Sequence, residues 1–459
     1  MYDIAIIGGG PAGYVAAITA ARSGKQVVLI EKKELGGTCL NEGCMPTKAL
    51  LECADTYQHV LHAERFGIEN AADHVQVNWQ KINAYKQSIV QKLTGGVHYL
   101  MKRNQVQVIR GSAAFENERA LLVETANGTS KIEAEKFIVT TGAEPIPLPF
   151  APFDGEWIMH SSHFLSLETP PPVLVIVGGG VIGCEFASVY SRLGSQVVIA
   201  EMAEQLLPGE DPDIAAFLER SLKQQGVQIH LSSSVEALDR TTQTARIRTP
   251  EGTAEIKADA VLVAIGRKPR LDGLLLERAG VKATARGIEV NEQMQTSQPH
   301  IFAAGDACGG IQLAHVAFHE GEVAARNACG EEAMLNLRAV PRCIYTSPEV
   351  ASVGLTERQA REKYAGLLVG EFPFSANGKA MILQETAGKV KVLVEPTYHE
   401  IVGITLVGAR ATELIGQAAL MMHAEMTADA MENFIAPHPT LSEILTEAVR
   451  GALGHAIHG

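Results

Sequence analysis

Apolar and polar positions along the chain repeat one pattern twice. "DIAIIGGGPAGYVAAITAARSGKQVVLIEKK" begins at Asp3, and "VLVIVGGGVIGCEFASVYSRLGSQVVIAEMA" begins at Val173, a constant offset of 170 residues. In each, a short unbroken apolar run predicts a buried strand. A glycine cluster follows, then a helix-like stretch ending at Gly24 or Gly194, then a second apolar strand ending in Glu31 or Glu201. Nearer the C-terminus the pattern changes. "KVKVLVEPTYHEIVGITLVG" from Lys389 predicts two strands around a turn, and "ATELIGQAALMMHAEM" from Ala411 predicts an apolar-rich helix. The longest apolar run, Val173–Cys184, has twelve residues including four glycines, too short and too broken to span a bilayer.

The glycines of both copies are spaced G-x-G-x-x-G: Gly8, Gly10, Gly13 and Gly178, Gly180, Gly183. The first makes a tight turn, and the second lets the backbone approach a pyrophosphate. The third lets the helix pack on the strand, so that the helix N-terminus faces negative charge. The acid at the tip of the second strand, Glu31 or Glu201, suits a ribose hydroxyl. Glu201 is followed by Met202 and Ala203, with no arginine to receive a 2′-phosphate, so the second site should prefer NAD to NADP. Two dinucleotide sites in one chain suggest one fixed redox cofactor and one that diffuses.

At 459 residues the chain should form two to four domains. Its net charge of −13 argues against a nucleic-acid partner held by its phosphates. The start, "MYDIAIIGGG", does not have the form of a secretory signal. Seven scattered cysteines suit a reducing compartment, so a cytoplasmic protein is expected, and any disulfide should be a working one.

Between the two copies stands "GGTCLNEGCMPTKALL", Gly36–Leu51, with Cys39 and Cys44 five residues apart. Five helical residues span about 7.5 Å along the axis, whereas a disulfide needs Cα atoms within about 7 Å. A regular helix therefore cannot close the pair, although a turn loosened by Gly43 can. Pro46 fits the first turn of a helix, which puts Cys44 where the helix dipole favours a thiolate. Zinc would need two further ligands, and no nearby C-x-x-C or H-x-x-x-H supplies them. Two inert thiols remain open on spacing alone.

That stretch closely resembles the redox-active disulfide motif of the flavin-dependent pyridine nucleotide-disulfide oxidoreductases, and the resemblance runs the length of the chain. It implies an α/β fold with two Rossmann-like dinucleotide-binding domains, one for FAD and one for NAD, plus a C-terminal α+β dimerisation domain. The expected partition is FAD-binding 1–145, NAD-binding 146–267, a central segment 268–335 completing the FAD site, and an interface domain 336–459. "TPPPV" at Thr169–Val173 reads as a stiff lead-in to the second copy. By the same resemblance Cys39 exchanges with a thiol substrate, and Cys44 contacts the flavin as a charge-transfer thiolate. Lys48 matches the lysine beside the flavin's reactive edge and Glu185 its ion-pair partner, although without the flanking motif Lys48 reads as a solvated helix lysine and Glu185 reads equally as a surface helix residue. Gly37 and Thr38 lie in the flavin contact. "HIFAAGDA", ending a strand at Gly305–Asp306, resembles the second flavin motif, with Asp306 on the ribitol. "QLAHVAFHEG" resembles the backbone stretch that meets the ring near Ala314 and His315. Val316 and Phe318 stand where charged residues are usual.

"FIVTTGAEP", with Thr141 and Gly142, and "VLVAIGRKP", with Gly266, resemble the segments crossing between the two nucleotide domains. Gly111 in "RGSAAF" resembles the adenine-side contact. Val181 occupies the position facing the nicotinamide pocket and is small enough to leave that face open. In "PHPTLSE", Pro437–Glu443, the spacing of Thr440 and Glu443 is that of a capping box opening the last helix. The resemblance makes His438 the general base for the substrate thiol, with Glu443 orienting it, and has it reach the disulfide of the other subunit of a homodimer. Cys53, Cys184, Cys308, Cys329 and Cys343 match no motif and read as small buried hydrophobes.

"HPTLSE", "YTSPEVASVGLTE" and "ARATELIGQ" are similar to the lipoamide dehydrogenase branch of the family. "LNEGCMPTK" and "AVPRCIYT" are similar to members serving acetoin-cleaving complexes. The implied activity is oxidation of protein-bound dihydrolipoamide through Cys39–Cys44 and FAD, with reduction of NAD⁺. The lipoyl group would arrive on the acyltransferase core of a 2-oxo acid or acetoin dehydrogenase complex, with no nucleic acid, membrane or metal involved. A glutathione-type disulfide reductase is the alternative enzyme, and a flavin-bearing scaffold or redox sensor the non-catalytic one.

Overall fold

The computed structural model describes residues 1–458. Its first sheet is built around Tyr2–Ile7, which pairs in parallel with Val27–Glu31 on one side and with the second half of Gly128–Val139 on the other. Gln107–Arg110 and Ile301–Ala303 extend it in parallel at the two edges. One face packs on the helices Pro11–Arg22 and Ala314–Ala328 and the other on the antiparallel strands that carry Phe115, Leu121 and Val123, which is why Ile4, Ala5 and Ile6 are buried without alternation. The first half of Gly128–Val139 leaves this sheet and pairs antiparallel with Ala120–Thr125, which continues to Ser112–Asn117.

The second copy folds the same way. Gln228–His230, Gln196–Ala200, Val173–Val177, Ala260–Val263 and Ile158–Met159 form a parallel sheet in that order. A meander of Ser234–Asp239, Thr244–Thr249 and Gly252–Lys257 accompanies it. The duplicated pattern is thus a duplicated layered unit. Glu201 falls one residue beyond its strand, which closes at Ala200. The crossing segments meet each other: Ala143–Pro145 pairs antiparallel with Arg267–Pro269.

The strand expected to end at Gly305–Asp306 stops at Ala303, and Gly305–Cys308 makes one tight helical turn. Gly305 has φ +75°, a left-handed conformation that ends strand pairing and suits glycine. The helix Ala314–Ala328 then returns across the first fingerprint helix, Pro11–Arg22. A Cβ at Gly321 would stand 2.3 Å from the Ala12 carbonyl oxygen, so only glycine permits this crossing.

The remaining strands make an antiparallel sheet ordered Arg342–Ile344, Glu349–Gly354, Ile401–Gly408, Lys389–Val394, Leu368–Pro373. It shares a core with the helices Ala411–His423 and Glu443–Ala452. Lys391, almost fully buried, ties this sheet to the second nucleotide unit through Asp213 at 2.7 Å and Asp211 at 3.3 Å, and reaches Glu357 at 2.9 Å. Among the described residues no helix is long and apolar enough to cross a membrane.

Candidate functional site

The cysteine pair sits on a broken helix. Gly37–Glu42 forms one short helix and Cys44–Leu61 the next, with Gly43 between them at φ −150°, ψ −109°. This break is the irregular turn that a five-residue spacing requires. Cys39 lies within the first helix and Cys44 opens the second. The first turn of that helix has no side-chain cap, so its free N–H groups favour a thiolate at Cys44. Both residues are free thiols here, and the Cys39 thiol donates a hydrogen bond to the Cys44 sulfur. That hydrogen bond, opposed by burial and aided by Lys48, lowers the Cys44 thiol to about 7. The Cys39 thiol is pushed far up, first by giving that bond and then by burial. Near neutrality Cys44 is therefore the sulfur that ionises, and Cys39 the one that holds its proton. Cys44 is exposed, whereas Cys39 is partly covered.

Lys48, one helical turn beyond Cys44, binds both oxygens of Glu185 at 2.8 Å. Glu185 is buried, so the surface-helix alternative does not hold for it. The Tyr345 N–H also donates to Glu185, at 3.1 Å, and the Tyr345 ring lies under the Lys48 ammonium, 4.5 Å from nitrogen to centroid. The pair joins the cysteine helix to the second fingerprint helix, Val181–Arg192, across 137 residues of sequence.

The glycines expected to bind cofactors gather at two uncapped helix N-termini. Gly10 and Gly180 precede the helices Pro11–Arg22 and Val181–Arg192 with extended backbone and no side-chain cap, leaving the first-turn N–H groups free for a pyrophosphate. A Cβ on Gly13 would stand 1.9 Å from the Gly8 oxygen, and one on Gly183 would stand 2.0 Å from the Gly178 oxygen, so close helix–strand packing demands both glycines. Gly37 brings the cysteine helix onto Gly10: a Cβ there would lie 2.6 Å from the Gly10 Cα. Thr38 is the next residue of that helix. The first fingerprint loop thus adjoins the short helix that carries Cys39.

Glu31 accepts from the Gly9 N–H at 2.6 Å and the Lys33 N–H at 2.7 Å. Glu201 accepts from the Gly179 N–H and, at 2.7 Å, from the Ala203 N–H. Each acid therefore also braces its own glycine loop, a role the motif does not announce. Gly111 follows the strand Gln107–Arg110, and its N–H donates to the Glu31 carbonyl at 2.9 Å. Thr141 donates its hydroxyl to the Arg270 carbonyl at 2.8 Å, fastening one crossing segment to the other beside Gly142 and Gly266. Val181 is exposed at the start of its helix.

Asp306 lies in the turn after Ile301–Ala303, where burial raises its carboxyl and Arg267 counters. Ala314 and His315 open the helix Ala314–Ala328, also uncapped by any side chain. His315 is tied to the Pro341 carbonyl at 2.9 Å, and burial lowers its imidazole.

His438 Nδ1 meets Glu443 Oε1 at 2.9 Å, and the ring is otherwise exposed. Glu443 Oε2 accepts from the Thr440 N–H at 2.8 Å. Burial raises the Glu443 carboxyl, but Thr440 and His438 outweigh it and hold the group below its ordinary range. The expected capping box is only half formed. Ser442, not Thr440, precedes the helix Glu443–Ala452, and the Thr440 hydroxyl turns to the Pro437 carbonyl at 2.7 Å. Capping and orientation do not compete, because each carboxylate oxygen has one task.

Of the five other cysteines only Cys184 is fully buried, with its thiol on the Gly179 carbonyl at 3.2 Å; the remainder are partly covered. Burial raises all five thiols, which keeps them inert near neutrality. Two contributors escaped the sequence reading. Tyr345 packs on Lys48, and Arg267, donating to the Ala143 carbonyl at 2.6 Å, sets its charge near Asp306 and Cys44. Neither residue type signals such a role alone, and the Tyr345–Lys48 and Arg267–Ala143 contacts each span more than a hundred residues of chain.

Comparison with known proteins matches residues 2–321 to the pyridine nucleotide-disulphide oxidoreductase family and residues 340–449 to the dimerisation domain of that family. The chain is 56% identical to a dihydrolipoyl dehydrogenase of Bacillus subtilis over 99% of both chains. It is 41% identical to one of Thermus scotoductus over 100% of this chain and 98% of the relative. Among solved structures, LpdA from Mycobacterium tuberculosis superposes with a TM-score of 0.90 at 30% identity, covering 98% of this chain and 99% of that one. The HOCl-induced flavoprotein disulfide reductase RclA from Escherichia coli gives 0.87 at 30% identity, with 98% and 99% covered.

Proposed function

Because this chain belongs to the pyridine nucleotide-disulphide oxidoreductase family, we propose how its residues carry out the oxidation of dihydrolipoyl groups with NAD⁺. The enzyme uses FAD and NAD and works as a homodimer. The observation that carries the reading is the 56% full-length identity to a dihydrolipoyl dehydrogenase, joined to a sulfur pair of split acidity. FAD, when bound, supplies the two-electron carrier between the sulfur pair and NAD⁺.

The protein's own steps follow from its geometry. With Cys39 and Cys44 as a disulfide, His438 of one subunit takes a proton from the dihydrolipoyl thiol, and Glu443 stabilises the resulting imidazolium. The substrate thiolate attacks the Cys39 sulfur, the Cys39–Cys44 bond breaks, and Cys44 leaves as a thiolate. A thiol at about 7 is a good leaving group, which favours attack at Cys39. The second substrate thiol, losing its proton, attacks the mixed disulfide, closing the lipoyl disulfide and expelling Cys39 as a thiolate that takes up a proton; of the two protons the substrate gives up, one ends on Cys39 and one on His438. Lys48, held by Glu185, sustains the negative charge that arrives beside it. Glu201 reads the NAD ribose, and Val181 leaves the nicotinamide face open.

The same reading assigns FAD binding to residues 1–145 and 268–335, NAD binding to 146–267, and the subunit interface to 336–459. It takes the lipoyl-bearing acyltransferase core of a dehydrogenase complex as partner, specifically one that cleaves acetoin. The test compares purified protein on dihydrolipoamide with NAD⁺ against glutathione disulfide with NADPH. Turnover confined to the first pair is expected, and turnover confined to the second would overturn the proposal.

A further inference from the structure

The helix Ala314–Ala328 buries a carboxylate that the mechanism above does not use. Glu320 Oε2 accepts from the Gly305 N–H at 2.7 Å, and the residue is 7% exposed. Gly305 is the left-handed residue at the head of the tight turn that carries Asp306. The next helical residue, Gly321, lies against Ala12 of the first fingerprint helix, as the 2.3 Å clearance for a Cβ requires. Glu320 is thus fixed on a helix locked to the pyrophosphate-binding helix, and from there it grips the backbone beside Asp306.

We propose that Glu320 is a positioning residue for FAD: by holding the Gly305 N–H it sets the turn so that Asp306 faces the ribitol chain. This rests on the reading that Asp306 binds that chain. A peptide N–H at a positive-φ residue just past a strand end has no ladder partner, and a rigidly mounted acceptor supplies one. The charges around it suit the task. Burial, with Asp306 adding to it, raises the Glu320 carboxyl to about 7, against the Gly305 N–H. Asp306 and Cys308 face it from the turn, and Arg267 faces Asp306 from the crossing strand. A carboxyl half neutral at neutral pH adds little repulsion and leaves the lasting negative charge on Asp306, the group that must accept from ribitol hydroxyls.

The test follows FAD release from the dimeric holoenzyme by the rise of flavin fluorescence, in Glu320→Ala, Glu320→Gln and Asp306→Asn. Glu320→Ala should release FAD about tenfold faster, as loss of one strong hydrogen bond implies. Glu320→Gln, which keeps an acceptor for the N–H, should stay within about threefold of the parent. The gap in melting temperature between holoprotein and flavin-stripped protein should narrow for the alanine variant. If Asp306→Asn loosens FAD while both Glu320 variants release it at the parent rate, the positioning role is wrong. If Asp306→Asn has no effect, the ribitol reading fails, and the proposal with it. Equal loss of melting temperature with and without flavin would make Glu320 merely structural and would also overturn it. Should Glu320→Ala not fold, Glu320→Gln with Glu320→Leu decides by the same release rates.

Discussion

Replacing Lys48 by methionine should shift the acidity of a sulfur it does not touch. Lys48 lowers the Cys44 thiol and Glu185 raises it, so the two partners of one ion pair act on Cys44 in opposite senses. Side chains four apart on a helix lie roughly 6 Å from each other. At an effective dielectric constant of about 20, one unit charge at that distance is worth about 2.8 kcal/mol, or about two pK units. Lys48 keeps a quarter of its side-chain surface in solvent, and screening there cuts the effect to about one unit. Lys48→Met should therefore raise the Cys44 midpoint from about 7 toward roughly 8. Glu185→Gln, which leaves the ammonium unopposed, should lower it by a comparable amount. The assay is the pH dependence of iodoacetamide alkylation of the dithiol-reduced holoenzyme, read on the Cys44 peptide by mass spectrometry. A midpoint unmoved by Lys48→Met, or moved the same way by both substitutions, would refute the electrostatic reasoning.

Other substitutions probe the remaining parts. Cys44→Ser should abolish turnover of dihydrolipoamide while oxidation of NADH by artificial acceptors survives, and retained lipoamide turnover would break the relay. His438→Gln should slow thiol exchange by about 10²–10⁴ with flavin content unchanged; an unaltered rate would leave Glu443 to its backbone contact alone. Glu201→Ala should reduce the preference for NADH over NADPH in the KM ratio, and because Glu201 also braces Gly179 it should weaken both. Lys391→Met strands Asp211, which is 3% exposed, beside Asp213 and Glu357, and should destabilise by about 3–5 kcal/mol in thermal unfolding. An unchanged melting temperature would mean the cluster relaxes into solvent.

Much of this was legible in the chain because its signals are local. The two strand–glycine–helix–strand units, the break at Gly43, and the His438–Glu443 contact each lie within about thirty residues, where periodicity and turn chemistry operate. What sequence missed is long-range or depends on competition for one group. The burial of Glu185 comes from packing of the second fingerprint helix against the cysteine helix. Its bond to the Tyr345 N–H spans 160 residues. The capping box at Thr440 was half wrong because a nearer acceptor, the Pro437 carbonyl, takes the threonine hydroxyl. Gly305 ended a strand sooner than its apolar run implied, because a left-handed residue cannot continue the ladder. The doubled acids were read as ribose acceptors, and their grip on Gly9 and Gly179 appears only once the loops are folded.

The central claim is that electrons from NADH reach Cys39 and Cys44 through the folded enzyme, and differential alkylation tests it most directly. Holoenzyme as isolated, denatured without reductant in iodoacetamide, should leave both cysteines unlabelled; after anaerobic NADH both should label on denaturation, and under native conditions at Cys39 and Cys44 unequally. Equal labelling of the two residues before and after NADH would contradict the account.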